Sequence, residues 1–326
     1  MPRSTPKVFY QSHASPDLYD LIRDVAGAEF DLVLLDADDD VERCRKIADC
    51  EAVICAATPL RKKHLDAAPK LRVIHHQGVG WQDTTDWQEI RRRRLPLALT
   101  PEGTTTGVAE HTVLLMLAAA KHLAFADAEL RRGRWHVNSL RGRSRQLHGK
   151  TIGYVGMGRI AQAVAERLKA FGCSGIYCDP QIDLPGDVSA SLGLRRGSLD
   201  NVLAAADVLS IHVPLTAATR GLIGRQALQR LKPSAIVVNT ARGGIVDEAA
   251  LAAALDSGHV LAAGVDVFEE EPPAPDNPLL ALPNVVLTPH ISAGSRDAMR
   301  AKMTALFGNL RRFFATGELA NRVTFP

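Results

Sequence analysis

The 326 residues exceed the usual size of a single hydrophobic core, so we expect two domains. The chain is 46% hydrophobic and 23% charged, with a formal net charge of +3, which is ordinary for a globular protein and too little positive charge for a nucleic-acid partner. The five cysteines form no CxxC pair, so they offer no zinc spacing and favour a reducing, cytoplasmic compartment. Residues 1–11 lack the apolar segment of a signal peptide, and the apolar run 113–120 is too short for a bilayer. We therefore expect no membrane partner.

The first hundred residues alternate short apolar runs with helix-like stretches. Buried strands are predicted over 8–10, 32–35, 52–55, 73–75 and 97–99, and helices over 17–26 and 40–49. Strands that alternate with helices indicate a parallel sheet with helices on both faces.

A long helix is predicted next, over residues 108–132, ending near Gly133. It is apolar on much of its circumference, which is typical of a buried helix or a subunit interface. We therefore expect a homodimer built on this part of the chain. Trp135 is predicted to anchor the following segment between helix and sheet.

A second alternation of strands and helices follows. Strands are predicted over 151–155, 176–178, 208–213, 235–238, 264–268 and 285–288, and helices over 160–171, 199–206 and 248–257. A last amphipathic helix, over 296–314, comes after this second sheet is complete and is expected to return to the first domain. The sequence thus predicts two doubly wound parallel-sheet domains, one of 1–100 with 295–326 and the other of 101–294.

The segment Gly156-Met157-Gly158-Arg159-Ile160-Ala161 follows a predicted strand and begins a helix. In a dinucleotide-binding turn, Gly156 would allow the tight bend and Gly158 the close approach of a pyrophosphate to the helix N-terminus. Asp179 ends the next predicted strand, where a carboxylate accepts hydrogen bonds from ribose hydroxyls and repels a 2′-phosphate. These residues predict binding of NAD.

Three further strands of this domain lead into polar residues. They are followed by Arg242, by the acidic run of Glu269, Glu270 and Glu271, and by His290. Because ligands bind beyond the carboxyl ends of strands in doubly wound sheets, these groups should meet beside the dinucleotide. An Arg can bind a carboxylate, and a His paired with a carboxylate can protonate a carbonyl oxygen. The pattern favours hydride transfer to a small 2-oxo acid, but spacing does not choose among the three glutamates.

The chain resembles the D-isomer specific 2-hydroxyacid dehydrogenases. The matching segments are 108–111 (VAEH), 132–135 (RGRW), 149–172, 212–215 (HVPL), 238–251, 263–272 and 287–294. The resemblance implies a Rossmann cofactor domain inserted in a flavodoxin-like substrate domain, and a catalytic set of Arg242, Glu271 and His290. The family's Glu precedes Pro in this segment, which selects Glu271.

The resemblance also implies substrate and cofactor contacts. The loop of residues 78–80, which includes Val79 and Gly80, would hold the substrate carboxylate through backbone N–H groups, together with Arg242. Asp266 would face the nicotinamide carboxamide. The full set of implied cofactor contacts is Val79, Gly156, Gly158, Arg159, Ile160, Asp179, Val213, Thr240, Ala241, Arg242, Asp266 and His290.

Other functions remain open beside this one. Formate dehydrogenases resemble the family but carry Gln where this chain has Glu271, which argues against formate. Phosphite dehydrogenases keep the three catalytic residue types, and corepressors of the same fold bind dinucleotide without needing turnover. Trp81 and Gln82 depart from the family's usual residues after the 78–80 loop, so Trp81 either restricts the substrate pocket or packs structurally.

Overall fold

A computed structural model describes residues 5–56 and 58–325. Residues 1–4 of the N-terminal segment considered above lie outside the described residues. The chain divides into two compact units, residues 1–104 with 295–326 (unit 1) and residues 105–294 (unit 2). This division falls inside the first turn of a helix rather than after residue 100, where the sequence analysis placed it.

Unit 1 contains a five-stranded, all-parallel sheet with strand order β2-β1-β3-β4-β5. This order is that of flavodoxin-like folds and confirms the prediction. Its strands are β1 (Lys7–Tyr10), β2 (Asp31–Val33), β3 (Ala52–Cys55), β4 (Val73–His76) and β5 (Leu97–Leu99). Its helices are α1 (Pro16–Ala26), α2 (Asp40–Ile47), α3 (Lys62–Asp66) and α4 (Trp87–Arg92), with a short 3₁₀ helix over Gly27–Glu29.

The C-terminal part of the chain completes unit 1. Its long helix packs on α1, and its buried residues Met303, Leu306, Phe307 and Leu310 belong to the core around β1 and α1. Beyond the helix, residues 321–323 pair antiparallel with β5, through hydrogen bonds from Leu99 N–H to Asn321 O and from Val323 N–H to Leu97 O. The terminal segment therefore extends the edge of the sheet.

Unit 2 contains a seven-stranded, all-parallel sheet with strand order β12-β11-β10-β9-β6-β7-β8, which is the Rossmann order with one further strand. The strands are β6 (Thr151–Val155), β7 (Ser174–Cys178), β8 (Leu194–Arg196), β9 (Val208–Ile211), β10 (Ala235–Asn239), β11 (Val260–Val265) and β12 (Val285–Leu287). The helices from Thr104 onwards are α5 (Thr104–Ala120), α6 (Leu123–Arg131), α7 (Val137–Arg143), α8 (Arg159–Lys169), α9 (Gly186–Leu192), α10 (Leu199–Ala205), α11 (Arg225–Gln229) and α12 (Glu248–Asp256). A 3₁₀ helix spans Pro278–Ala281, and α13 (Arg296–Thr316) belongs to unit 1.

Some predicted elements differ from the structure. The single helix predicted over 108–132 is wrong, because the chain breaks between α5 and α6, where His122 adopts a left-handed φ of 51°. The anchoring role predicted for Trp135 is also wrong, since Trp135 is 77% exposed. β2 and β9 end two residues earlier than predicted, and β11 begins and ends earlier than its apolar run suggested.

Among residues 5–56 and 58–325, no helix is long and apolar enough to cross a membrane. Within the same residues, no group of three or more His, Cys, Asp or Glu side chains is arranged to hold a metal ion.

Candidate active site

The turn between β6 and α8 has the geometry of a phosphate-binding loop. Gly156 has a φ of 92°, and a Cβ atom there would lie 2.5 Å from the carbonyl oxygen of His212 at the end of neighbouring β9. Only glycine fits such a position. Gly158 is the N-cap of α8, and a Cβ atom on it would meet nothing within 4 Å. The open space at this helix N-terminus, beside Arg159 and Ile160, suits an anion.

Asp179 follows β7 and braces this turn. Its carboxylate accepts hydrogen bonds from Met157 N–H at 2.8 Å, from Gln181 N–H at 2.8 Å and from Ile182 N–H at 2.9 Å. A carboxylate has lone pairs beyond those three bonds, so it can still accept a hydroxyl. The ribose contact expected of Asp179 stays a prediction, while its bond to the glycine turn is a structural fact.

The end of β10 carries Thr240, Ala241 and Arg242 on a tightly held turn. The Asn239 side chain closes that turn, because its Nδ2 donates to Arg242 O at 2.9 Å and its Oδ1 accepts from Ala241 N–H at 3.0 Å. Thr240 is buried, and its hydroxyl lies 2.8 Å from that of Thr112 on α5. Neither Asn239 nor Thr112 is among the site residues predicted from the sequence.

Gly243 brings the Arg242 turn against the segment after β11. A Cβ atom at Gly243 would lie 1.8 Å from the carbonyl oxygen of Phe268, so no other residue fits without moving the backbone. This close approach brings the residue after β10 near the acidic run. The charge of Arg242 is close enough to lower the pKa of Glu271.

His290 and Glu271 form a direct pair. His290 Nδ1 lies 2.7 Å from Glu271 Oε2, and Glu271 Oε1 accepts from Phe268 N–H at 3.0 Å. Burial raises the pKa of Glu271, but the hydrogen bond and charge of His290, the Phe268 N–H and the charge of Arg242 together hold it below its usual value. Glu271 is therefore ionised at neutral pH. Its neighbour Glu269 lies near Arg220 instead, at 3.9 Å.

Asp266 anchors the loop that carries His290. Its side chain is fully buried, and its carboxylate accepts from Thr288 Oγ1 at 2.6 Å, Ile291 N–H at 2.9 Å and Ser292 N–H at 2.9 Å. His111 Nε2 contacts the Thr288 hydroxyl at 3.0 Å. The contact of Asp266 with the nicotinamide stays a prediction. The structure adds a second role for Asp266, which is to hold the loop of residues 288–292 through its carboxylate.

In unit 1, the 78–80 loop follows β4. Val79 is 42% exposed, and its N–H makes no hydrogen bond within the described part of the chain. Trp81 packs edge-on against Trp87 at 6.2 Å and Phe325 at 5.7 Å, measured between ring centroids. Within unit 1, Trp81 is therefore part of an aromatic cluster that includes the C-terminal segment. Gln82 is exposed.

Comparison with known proteins decides the family. Residues 113–292 match the domain family described as D-isomer specific 2-hydroxyacid dehydrogenase, NAD binding domain. A glyoxylate reductase of Korarchaeum cryptofilum is 39% identical over 277 residues, which cover 84% of this chain and 82% of that protein. The chain belongs to the D-isomer specific 2-hydroxyacid dehydrogenases. Unit 2 is the nicotinamide-dinucleotide domain of this family, as the sequence predicts.

This chain is also similar to two further proteins. A D-3-phosphoglycerate dehydrogenase of Methanocaldococcus jannaschii is 41% identical over 284 residues, or 86% of this chain, which spans only 53% of that relative. An NADPH-dependent glyoxylate/hydroxypyruvate reductase of Sinorhizobium meliloti, solved with NADP and malonate, has a TM-score of 0.82 at 31% identity. The alignment covers 98% of this chain and 97% of that structure.

Proposed function

We propose that this protein is an NAD-dependent oxidoreductase that reversibly reduces a small 2-oxo acid to the D-2-hydroxy acid. The observation that carries the proposal is the His290–Glu271 pair at 2.7 Å, with the charge of Arg242 acting on Glu271, in the same unit as the glycine turn between β6 and α8. A general acid with a carboxylate partner and an adjacent guanidinium is the set that reduction of a 2-oxo acid needs.

The glycine turn of unit 2 and the residues around it suit a bound dinucleotide. The open position at Gly158, the first turn of α8 with Arg159 and Ile160, and the turn braced by Asp179 suit a pyrophosphate and a ribose. Val213, Thr240 and Ala241 follow β9 and β10 at the same edge of the sheet, where they would contact the nicotinamide half. Reduced nicotinamide bound there supplies the hydride.

Each catalytic side chain has a role that follows from its contacts. His290 uses Nδ1 for Glu271, and its Nε2 has no hydrogen-bond partner among the described residues, so Nε2 would deliver the proton to the substrate oxygen. Ionised Glu271 places a negative charge against the ring and fixes its orientation. Arg242 would bind the carboxylate and polarise the carbonyl, and the N–H groups of Val79 and Gly80 would hold the carboxylate oxygens.

A homodimer built on α5, α6 and the segment after them is part of the proposal. Leu114, Leu123 and Leu130 are each more than half exposed, and Trp135 is 77% exposed, although α5 is buried along its other side. Several large apolar side chains exposed on adjacent helices are typical of a subunit interface. The cytoplasmic location expected from the cysteines also stays a prediction.

The proposal is tested with purified protein, NADH and a panel of glyoxylate, hydroxypyruvate, pyruvate, phenylpyruvate and branched 2-oxo acids. We expect oxidation of NADH with at least one acid and formation of the D-hydroxy acid by chiral chromatography. Turnover of phosphite with NAD, and of none of the acids, would favour a phosphite dehydrogenase. NADH binding without turnover of any substrate would favour a dinucleotide-sensing module.

A further inference from the structure

The 78–80 loop is tied at both ends by two side chains that the sequence analysis did not single out. His76, the last residue of β4, is buried, and its Nδ1 lies 3.0 Å from Gly78 N. Its Nε2 lies 3.0 Å from Thr84 Oγ1, which in turn lies 3.1 Å from Gly80 O. The first and last residues of the loop are therefore joined through His76 and Thr84.

The direction of every hydrogen bond in this chain of contacts is determined. A backbone N–H can only donate, so Nδ1 of His76 accepts and carries no proton. The neutral ring then carries its proton on Nε2 and donates it to Thr84 Oγ1. The Thr84 hydroxyl is left to donate to Gly80 O, which can only accept. The three hydrogen bonds from Gly78 N–H through His76 and Thr84 to Gly80 O therefore have consistent donors and acceptors.

The surroundings hold both ends of this connection in place. Thr100 N–H donates to Gly78 O at 3.2 Å, and Thr100 Oγ1 donates to His76 O at 3.0 Å. On the far side, Thr85 Oγ1 donates to Trp81 O at 2.8 Å. The exposed Val79 N–H at the middle of the loop is thus presented by a backbone whose two ends are fixed.

We propose that His76 and Thr84 are positioning residues that hold the 78–80 loop in its carboxylate-binding conformation. The inference rests on the proposed function, in which this loop binds the substrate carboxylate. Neither side chain needs to touch the substrate. A preorganised pair of N–H donors binds a carboxylate more tightly because the ordering cost is met before binding.

The test compares Thr84→Val, which removes the hydroxyl at nearly constant shape, with Thr84→Ser, which restores it. Thr304→Val is the control, because it removes a hydroxyl-to-carbonyl bond of 2.8 Å within α13 of the same unit. We expect Thr84→Val to raise KM for the best 2-oxo acid of the panel about tenfold, with kcat and the Kd of NADH within twofold of the parent. Thr84→Ser and Thr304→Val should resemble the parent.

A second variant tests the link to the histidine. His76→Asn keeps an acceptor near Gly78 N but cannot reach Thr84, so it should raise KM in the same way. Because one connection is broken in each case, the double variant should be no worse than the more affected single variant, within twofold. A double variant whose increase in KM is the product of the two single increases would overturn the inference, and so would an unchanged KM in Thr84→Val.

Amide hydrogen exchange separates this inference from the proposed function, because it needs no turnover. In Thr84→Val, the amides of residues 77–82 should exchange at least fivefold faster than in the parent and in Thr84→Ser. Unchanged exchange would refute the positioning role even in an active enzyme. If exchange is faster in Thr84→Val but the parent reduces no 2-oxo acid, the positioning role of His76 and Thr84 is supported and the proposed function of the protein is refuted.

Discussion

The backbone N–H of His290 donates a 2.8 Å hydrogen bond to the carbonyl oxygen of Asp266. Three further bonds join the Asp266 carboxylate to residues 288–292, so one buried residue of unit 2 holds the loop on both sides of the histidine. His290 has a φ of 53°, a left-handed conformation that residues other than glycine adopt at a cost. Asp266 therefore stabilises the backbone conformation that directs the imidazole to Glu271.

The His290–Glu271 pair predicts the pH dependence of reduction. In the proposed reaction protonated His290 is the proton donor, so kcat/KM should fall at alkaline pH as the donor loses its proton. Glu271, whose pKa lies below its usual value, is ionised throughout that range and holds a negative charge 2.7 Å from Nδ1 of the ring. In Glu271→Gln the alkaline limb should move to lower pH, and in His290→Ala activity should fall by roughly a hundredfold or more without such a limb.

The measurement is the pH profile of kcat/KM for both variants beside the parent, with the Kd of NADH as the control. Binding of NADH should survive both changes, since neither side chain belongs to the glycine turn. Glu269→Gln is a matched variant, because Glu269 faces Arg220 rather than His290. An alkaline limb that stays in place in Glu271→Gln would remove Glu271 from proton transfer.

Activity should depend on the shape of the Arg242 head group as well as on its charge. Lys keeps the charge of Arg242 but loses the planar pair of N–H donors that a carboxylate accepts. We expect Arg242→Lys to lower kcat/KM for the 2-oxo acid by roughly a hundredfold, while the Kd of NADH changes less than about threefold. Steady-state kinetics and fluorescence titration with NADH give the two quantities. A parallel loss of NADH binding would instead assign Arg242 to the cofactor or to the fold.

Asp179 should make the enzyme prefer NADH. In the proposed cofactor site its carboxylate faces the adenine ribose and would repel a 2′-phosphate, so we expect kcat/KM with NADH to exceed that with NADPH by at least about tenfold. Asp179→Ser should lower the ratio of kcat/KM with NADH to kcat/KM with NADPH. Asp183→Ser, which changes the exposed partner of Arg196, should lower this ratio less. Because one structural relative is NADPH-dependent, equal efficiency with both coenzymes is the outcome that would contradict the prediction.

The exposed leucines predict the assembly state. Light scattering at micromolar concentration should give about twice the 35.2 kDa mass of the chain. A charge placed in the interface cannot be desolvated without cost, so Leu114→Glu together with Leu130→Glu should yield the monomer. Leu280→Glu changes a leucine of comparable exposure in the 3₁₀ helix of unit 2 and should leave the dimer intact. A parent protein that scatters as a single chain would refute the dimer.

A buried histidine of unit 1 should make the fold sensitive to acid. Burial lowers the pKa of His75 from the usual 6.5 to about 4, and its Nε2 accepts a 3.0 Å hydrogen bond from Asn309 Nδ2. The unfolded chain takes up the proton near 6.5 and the folded chain only near 4. The free energy of unfolding should therefore fall as the pH drops through that window, by at most about 1.4 kcal/mol per pH unit from this group.

Urea unfolding at several pH values checks this expectation. His75→Gln keeps an acceptor for Asn309 and cannot be protonated, so its stability should change less steeply between pH 6.5 and 4 than that of the parent. His13→Gln, at an exposed histidine, is the matched control. The same slope in His75→Gln and in the parent would assign the acid sensitivity to other groups.

Short apolar runs separated by helix-like stretches predicted the strands of both sheets in the described residues except β8, because a buried parallel strand must be apolar on both faces. β8 carries only one buried residue, Leu194, and its two arginines are exposed. The same signal failed where buried side chains lie outside strands. Val267 and Phe268 are buried in a loop, so the apolar run continues past the end of β11. The break at His122 involves neither Gly nor Pro, and no local signal marks it.

The candidate site was predicted as a set of residue types rather than as a geometry. Strand ends alone predicted an Arg, an acid and a His at one edge of the sheet, but the choice of Glu271 depended on its position before Pro272 in a family motif. The supporting contacts of Asn239, Thr112 and Thr84 could not be predicted, because each joins residues through side chains whose partners are set by the folded backbone. Asn239 and Thr84 share one sign in the sequence, a small polar residue at a strand end or in the loop after it, which Thr112 within α5 lacks.

The two-segment composition of unit 1 has a consequence for synthesis on the ribosome. Leu306, Phe307 and Leu310 of α13 are fully buried in the core with Val8 and Ile22, so the first hundred residues cannot close that core when they emerge. Unit 2 is continuous in sequence and can complete its own sheet earlier. The nascent chain must therefore expose the apolar surface around β1 and α1 until α13 has been synthesised, which makes that surface a target for chaperones.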